Sequence, residues 1–243
     1  MKKSTIEALK SHISAPRFQT FLDLAGGDPI LALDLYQWNI RASGAVIAST
    51  GMVEVQLRNS FDQALRQWNS LQRHPRTGYR YGANWIDEPA SPLRDIINPA
   101  GRKTLRERAE DALKDIDGQP LKPNPNHDDL IAGLTFGTWR WLLPQPRVTS
   151  PRNDRLRIWN QALAPCFVSA NGGVPRNVVY GWVNFLWFYR NRASHLEPFI
   201  DPQVLISVHR TSARLLHSMN PSAAAWFAGQ QFLPLIHRQF PLQ

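Results

Sequence analysis

Residues 178–195 read VVYGWVNFLWFYRNRASH. Val178, Val179, Trp182, Val183, Phe185, Leu186, Trp187 and Phe188 lie on nearly every side of a helix, and a helix so coated belongs in a core. It runs without a break into Arg190, Asn191, Arg192, Ser194 and His195, with Pro198 three residues beyond. Polar groups at the end of a buried helix call for partners or a purpose, because burying them unpaired is costly. Asn191 and His195 are four apart and share a helix face, whereas Arg190 is rotated by about 100° from Asn191.

Outward from this segment the pattern stays helical. Val174-Pro175 opens the same helix. A last long helix is predicted over 202–219, with Val204, Leu205, Val208, Leu215 and Leu216 inward, and a helical tail over 221–243 adds Trp226, Phe227, Phe232, Leu233 and Ile236 as packing residues. At the other end, Ser14 is read as a cap with Pro16 in the first turn and Gly26-Gly27 as the stop. Asp28-Pro29 then reads as an N-cap followed by Pro at the first helical position. No proline follows until past Trp68, which predicts two long helices or one kinked helix punctuated by Gly44 and Gly51.

Residues 70–100 are dense in Pro and Gly and read as a long irregular insertion. Its Tyr81 and Trp85 either stack on nucleobases or anchor the loop to the core. Further helices are predicted over 102–116, over 130–142 with Asp128-Asp129 as caps, and over 156–163, while Asn171-Gly172-Gly173 reads as a turn. No repeat, low-complexity run or composition shift divides the chain, so one all-α domain over 1–243 is expected.

Composition narrows the function classes. Cys166 stands alone, so no intrachain disulfide and no cysteine zinc cluster can form, which suits a reducing, cytoplasmic setting. The opening Met1-Lys2-Lys3-Ser4-Thr5-Ile6-Glu7 lacks the apolar run of a signal peptide, and the apolar stretch 178–189 falls short of the ~20 residues that cross a bilayer. The net charge of +9 suits a polyanionic partner such as RNA, or serves solubility alone. His12, His74, His127, His209 and His217 lack metal-ligand spacing with a carboxylate pair. No phosphate-cradling Gly-rich loop and no serine elbow occurs, so neither metal nor cofactor is predicted.

Residues 190–195 are then the place to look for chemistry. His exchanges protons near neutral pH, and Arg can hold a phosphate while negative charge builds on it. Attack of a ribose 2′-hydroxyl on the adjacent phosphorus needs a base, an acid and a charge stabiliser, and no metal. The alternative is a helix C-terminus that attracts basic side chains to its carbonyls.

Arg190-Asn191-Arg192-Ala193-Ser194-His195, after its hydrophobic helix, resembles the HEPN ribonuclease motif, an Arg and a polar residue followed by three variable positions and His. Val53-Glu54-Val55-Gln56-Leu57-Arg58-Asn59, preceded by Tyr36-Gln37-Trp38-Asn39, is similar to the N-terminal signature of the Abi-like (abortive infection) branch of that superfamily. Leu134-Thr135-Phe136-Gly137-Thr138-Trp139 is similar to its middle segment. The three matches keep the family's order over roughly residues 30–215. The resemblance implies a HEPN-like helical bundle, a homodimer with its cleft between two motifs, and endonucleolytic cutting of RNA in phage defence or toxin–antitoxin pairs, restrained by an antitoxin protein or RNA. It assigns proton transfer to His195, phosphate and transition-state charge to Arg190, orientation to Asn191, and RNA-binding support to Arg192, Glu54, Arg58 and Asn59. Glu54 and Arg58 also have ion-pair spacing on one helix face. Family members often carry a basic residue directly after the motif His. Here Leu196 and Glu197 follow, and Glu197 can compete for Arg192 or Arg190. A non-catalytic RNA-binding or partner-binding module is therefore the competing reading, and an accessory that only holds nucleotides is a third.

Overall fold

The computed structural model describes residues 8, 12–170, 172–230 and 232–242. Met1–Glu7, discussed above as the opening segment, and Asn171 lie outside them. The described chain is all-α apart from a two-stranded antiparallel ribbon that pairs Val168 with Gly173 and Ser169 with Gly172. The chain divides into two compact units, residues 1–53 with 185–243, and residues 54–184.

The first unit holds α1 (Ala15–Leu24), the opening part of α2 (Pro29–Leu71), the end of α8 (Arg176–Ser194), and α9 (Gln203–Met219), α10 (Pro221–Gln230) and α11 (Phe232–His237). Asp28 caps α2 as expected, its Oδ1 accepting from the backbone N–H of Ile30 at 2.8 Å. Ser14 does not cap α1 with its side chain, because its φ of 73° belongs to the left-handed region. Of two helices or one, α2 is one, 43 residues long. Its buried positions Ala32, Leu35, Asn39, Ala42, Val46, Ser49, Val53, Leu57, Phe61, Leu65 and Trp68 recur at three and four residues, so one stripe carries the whole length. Trp38 donates Nε1–H to the Ile236 carbonyl at 2.8 Å and meets the Phe240 ring edge-on.

Two apolar readings need correction. Helix α8 buries Val179, Val183, Leu186 and Ala193 as one stripe, not its whole circumference, and leaves Phe188 exposed. In the tail Phe227 and Leu233 are buried, whereas Trp226 is 61% exposed and Phe232 41%. Their helices are short and present one side to α9.

The second unit holds the rest of α2, then α3 (Leu93–Ile97), α4 (Leu105–Ala112), α5 (His127–Ala132), α6 (Phe136–Leu142), α7 (Asp154–Ile158) and the start of α8. Phe61 meets Trp139 and Phe167 edge-on, and Trp159 stacks on Phe167 at 5.7 Å, which makes the aromatic centre of its core. The irregular residues 72–92 are tied down by Asn69, fully buried on α2. Its Nδ2 donates to the carbonyls of Gly82 and Glu88, and its Oδ1 accepts from Ala90 N–H.

Several predicted boundaries shift, each for a local reason. Helix α4 starts at Leu105 because Thr104 and Glu107 form a capping box, and it stops at Ala112, ahead of a turn built by Asp115 and Gly118. The helix predicted over 130–142 is two. Asn126, not Asp128 or Asp129, caps α5, with Asp129 as the reciprocal partner, and Gly133 separates α5 from α6. Residues 159–163 form a π-helical turn after α7. Gly172-Gly173 form the second strand of the ribbon.

The two kinds of glycine make opposite expectations. A Cβ on Gly133 would stand 3.0 Å from the Ala109 carbonyl oxygen, a backbone atom with little room to yield, whereas a Cβ on Gly44 in α2 meets nothing within 4 Å. Gly133→Ala is expected to lower stability by about 1 kcal/mol through this close approach, and Gly44→Ala to raise it by about 1 kcal/mol through helix propensity. Urea-denaturation midpoints of the two variants, shifted in opposite directions, check this.

Candidate active site

Helix α8 ends in a tight, fully bonded turn. Ser194 donates its hydroxyl to the Arg190 carbonyl at 2.9 Å, and the backbone N–H groups of Leu196 and Glu197 return to the carbonyls of Ala193 and Arg192. This is the Schellman closure, in which one residue takes the left-handed conformation that favours glycine. That residue is Leu196, with φ of 51°. A leucine there is strained, and it stays because its surroundings hold it.

The holding groups come from α1, α2 and α8. Asn39, buried in α2, accepts from the Phe199 N–H at 2.8 Å and donates to the Leu196 carbonyl at 3.4 Å. Arg17 of α1 donates Nη2–H to the His195 carbonyl at 3.2 Å. Arg192 donates to the Pro198 carbonyl at 3.1 Å and pairs with Glu197 at 3.3 Å, its guanidinium 5.7 Å from the Phe188 ring centroid. The backbone of His195 is therefore pinned, while its side chain is exposed. Arg190 is half-buried and donates to Asn191 Oδ1 at 3.4 Å, which turns the guanidinium toward the amide beside it. A cavity of about 220 Å³ lies beside the motif, walled by Tyr189, Arg192, Phe199 and Asp201.

Arg190, Asn191, Arg192 and His195 thus share one helix end, and Glu197, offered two arginines by the sequence, takes Arg192. Glu54, Arg58 and Asn59 lie on the part of α2 that belongs to the second unit, flanking the buried Val53 and Leu57. Arg58 donates Nη1–H to the Ala132 carbonyl at 3.3 Å, near the end of α5. Glu54 is half-buried and Asn59 exposed.

A polar cluster in the second unit escapes sequence reading. Asp62 Oδ1 lies 2.7 Å from His127 Nε2 and accepts from Trp85 Nε1 at 2.8 Å, while Asp62 Oδ2 pairs with Arg66 at 2.7 Å. Arg66 also pairs with Asp128. His127 Nδ1 lies 2.7 Å from Asn84 Oδ1, Asn84 donates to Asp87, and Asp87 pairs with Arg106. The relay ties residues 84–87 to α2, α4 and α5, with the His127 side chain only 9% exposed. Burial raises the Asp62 carboxyl, but hydrogen bonds from His127, Trp85 and Arg66 outweigh it and hold the group below the usual carboxylate value. Asp62 and His127 are 65 residues apart, so no spacing signals them. The sequence shows only a histidine beside two cap-like aspartates.

The Cys166 thiol is pushed up to about 11 by burial and points its Sγ at the Ser60 carbonyl, which makes it a poor nucleophile. Among the described residues no group of three or more His, Cys, Asp and Glu is placed to hold a metal ion, and no helix is long and apolar enough to cross a membrane. Comparison with protein-family models, with curated proteins and with solved structures returned no match.

Asn39→Ala leaves the buried Phe199 N–H without its acceptor, so a loss of about 2 kcal/mol is expected, read by chemical denaturation. A second outcome concerns acid. Because the folded pKa of Asp62 lies below its unfolded value of about 4, the stabilisation is complete above that value and is lost as pH falls through it toward the folded pKa. Asp62→Asn is therefore expected to cost about 2 kcal/mol at pH 7 and to flatten the acid limb of a stability profile below the unfolded value of about 4. An unchanged acid limb in the variant contradicts the assignment.

Proposed function

We propose that the protein is a metal-independent endoribonuclease of the HEPN type, Abi-like in its signatures, working as a cytoplasmic homodimer in phage defence or a toxin–antitoxin pair. One observation carries the reading. His195 presents an exposed side chain from a backbone whose carbonyl accepts from Arg17 and whose N–H returns to the Asn191 carbonyl, with Arg190 five residues earlier on the same helix. An acid–base group held in this way, with a permanent cation at the same helix end, supports a reading as 2′-hydroxyl attack on a phosphodiester. His195 exchanges the proton, Arg190 stabilises the negative charge that develops on the phosphoryl oxygens, and Asn191, already in contact with Arg190, orients it. Arg192, bound to Glu197 and the Pro198 carbonyl, acts by shaping the turn. Glu54, Arg58 and Asn59 give supporting contacts to RNA. An antitoxin protein or RNA is the expected restraint.

The Arg192–Glu197 pair favours a second reading, a non-catalytic module that binds RNA or a protein, because a carboxylate beside the motif weakens its hold on phosphate. The two part on one experiment. Purified protein is incubated with cellular RNA in EDTA, beside His195→Ala and Arg190→Ala. Cutting by the parent that falls at least 100-fold in both variants supports the nuclease. RNA binding without cutting by the parent supports the module, and cutting that both variants retain overturns the role of the motif. Neutralising the competing carboxylate with Glu197→Gln is expected to tighten RNA binding severalfold at low salt and less at high salt, read by fluorescence anisotropy.

A further inference from the structure

The second unit contains a cavity of about 380 Å³, in the size range of small-molecule sites. Its walls include Arg102, Lys103 and Arg108 from the approach to α4 and α4 itself, and Thr135, Thr138 and Trp141 from α6 and the residue before it. No acidic residue lines it. Lys103 is shared with Asp111 at 2.5 Å, but among the described residues Arg102 has no carboxylate partner, and Arg108 makes one long bond, 3.4 Å, to the Ile97 carbonyl. Burial, and then the charge of Arg102, push the Arg108 guanidinium below its usual value. Two arginines kept close without an anion form a site that an anion completes.

The aromatic wall is set as firmly. Trp141 is 45% exposed, and Arg155 lies over its ring at 4.0 Å while donating Nε–H to the Trp141 carbonyl at 2.7 Å. The indole is fixed at the cavity while part of its surface stays open. Arginines for an anion, a fixed indole for a flat ring and threonine hydroxyls for a sugar make one combination.

We propose that this cavity binds a nucleotide, with Arg102 and Arg108 on the phosphate and Trp141 against the base. The nucleotide is either a free monophosphate or one residue of a single-stranded RNA, since both present the same phosphate and base. The site uses no residue of the Arg190–His195 segment, so its existence is independent of RNA cutting.

Two probes separate the sources: AMP, followed by calorimetry, and a fluorescein-labelled single-stranded 12-nucleotide RNA, followed by anisotropy. Each is titrated into the full chain, into the double variant Arg102→Ala/Arg108→Ala, into Trp141→Leu, and into Arg152→Ala, which removes an exposed cation elsewhere in the same unit. Thermal melts accompany each variant, and the single Arg102→Ala, at an exposed position, serves if the double variant melts early. The expected result is a loss of tenfold or more in affinity for the double variant and fivefold or more for Trp141→Leu, with less than twofold for Arg152→Ala. Such a loss with AMP assigns a free nucleotide, and with the 12-mer alone a residue of RNA. The proposal is overturned if the parent binds neither probe, or if the double variant loses no more than Arg152→Ala.

Discussion

Burial of one stripe along α2 is the constraint on which both units rest. An isolated helix gains little from propensity, and most helical stability comes from packing an apolar face. Here the face never lapses from Ala32 to Trp68, and each unit builds its core on its own share. The polar positions within the stripe have specific work: Asn39 organises the turn that carries His195, and Asn69 fastens the irregular segment. A buried asparagine is tolerated only when its donors and acceptors are met, and both meet theirs by serving loops with few backbone partners of their own.

The helical nature of the chain was legible because it depends on period and punctuation. Asp28-Pro29 announces the start of α2, the absence of proline its length, and Pro202 the last long helix, which begins one residue later. Where expectation and structure part, the decision lay with a neighbour distant in sequence or with an unnoticed cap. The helix expected over 130–142 breaks at Gly133, where the Ala109 carbonyl leaves no space for a side chain. Apolarity all round α8 over-predicted its burial, since hydrophobic residues inside is a one-way rule and Phe188 stays exposed.

The candidate site was legible in its residues and not in its supports. The spacing of Arg190 and His195 and the proximity of Glu197 are local facts that a sequence displays. Arg17 on the His195 carbonyl and Asn39 on Phe199 are not, because a side chain's long-range partner leaves no trace in its neighbours. The same reason hid the Asp62–His127 relay and the cavity between α4 and α6. In each, ordinary cap-like or surface-like residues acquire meaning only through assembly. Their hydrogen-bonding demands, met across tens of residues, set the local electrostatics that pairwise spacing cannot convey.

The discontinuous make-up of the first unit bears on the order of folding. Residues 54–184 are contiguous, so the second unit can gather its contacts as soon as that stretch of chain exists. The first unit cannot, since Asn39 must meet Phe199 across 160 residues. Loop-closure entropy has to be met before such a distant contact rewards it, which delays its formation. Until then Leu196 has little to keep it in a conformation it disfavours. During synthesis, the turn that presents His195 takes shape only after most of the protein is already in place.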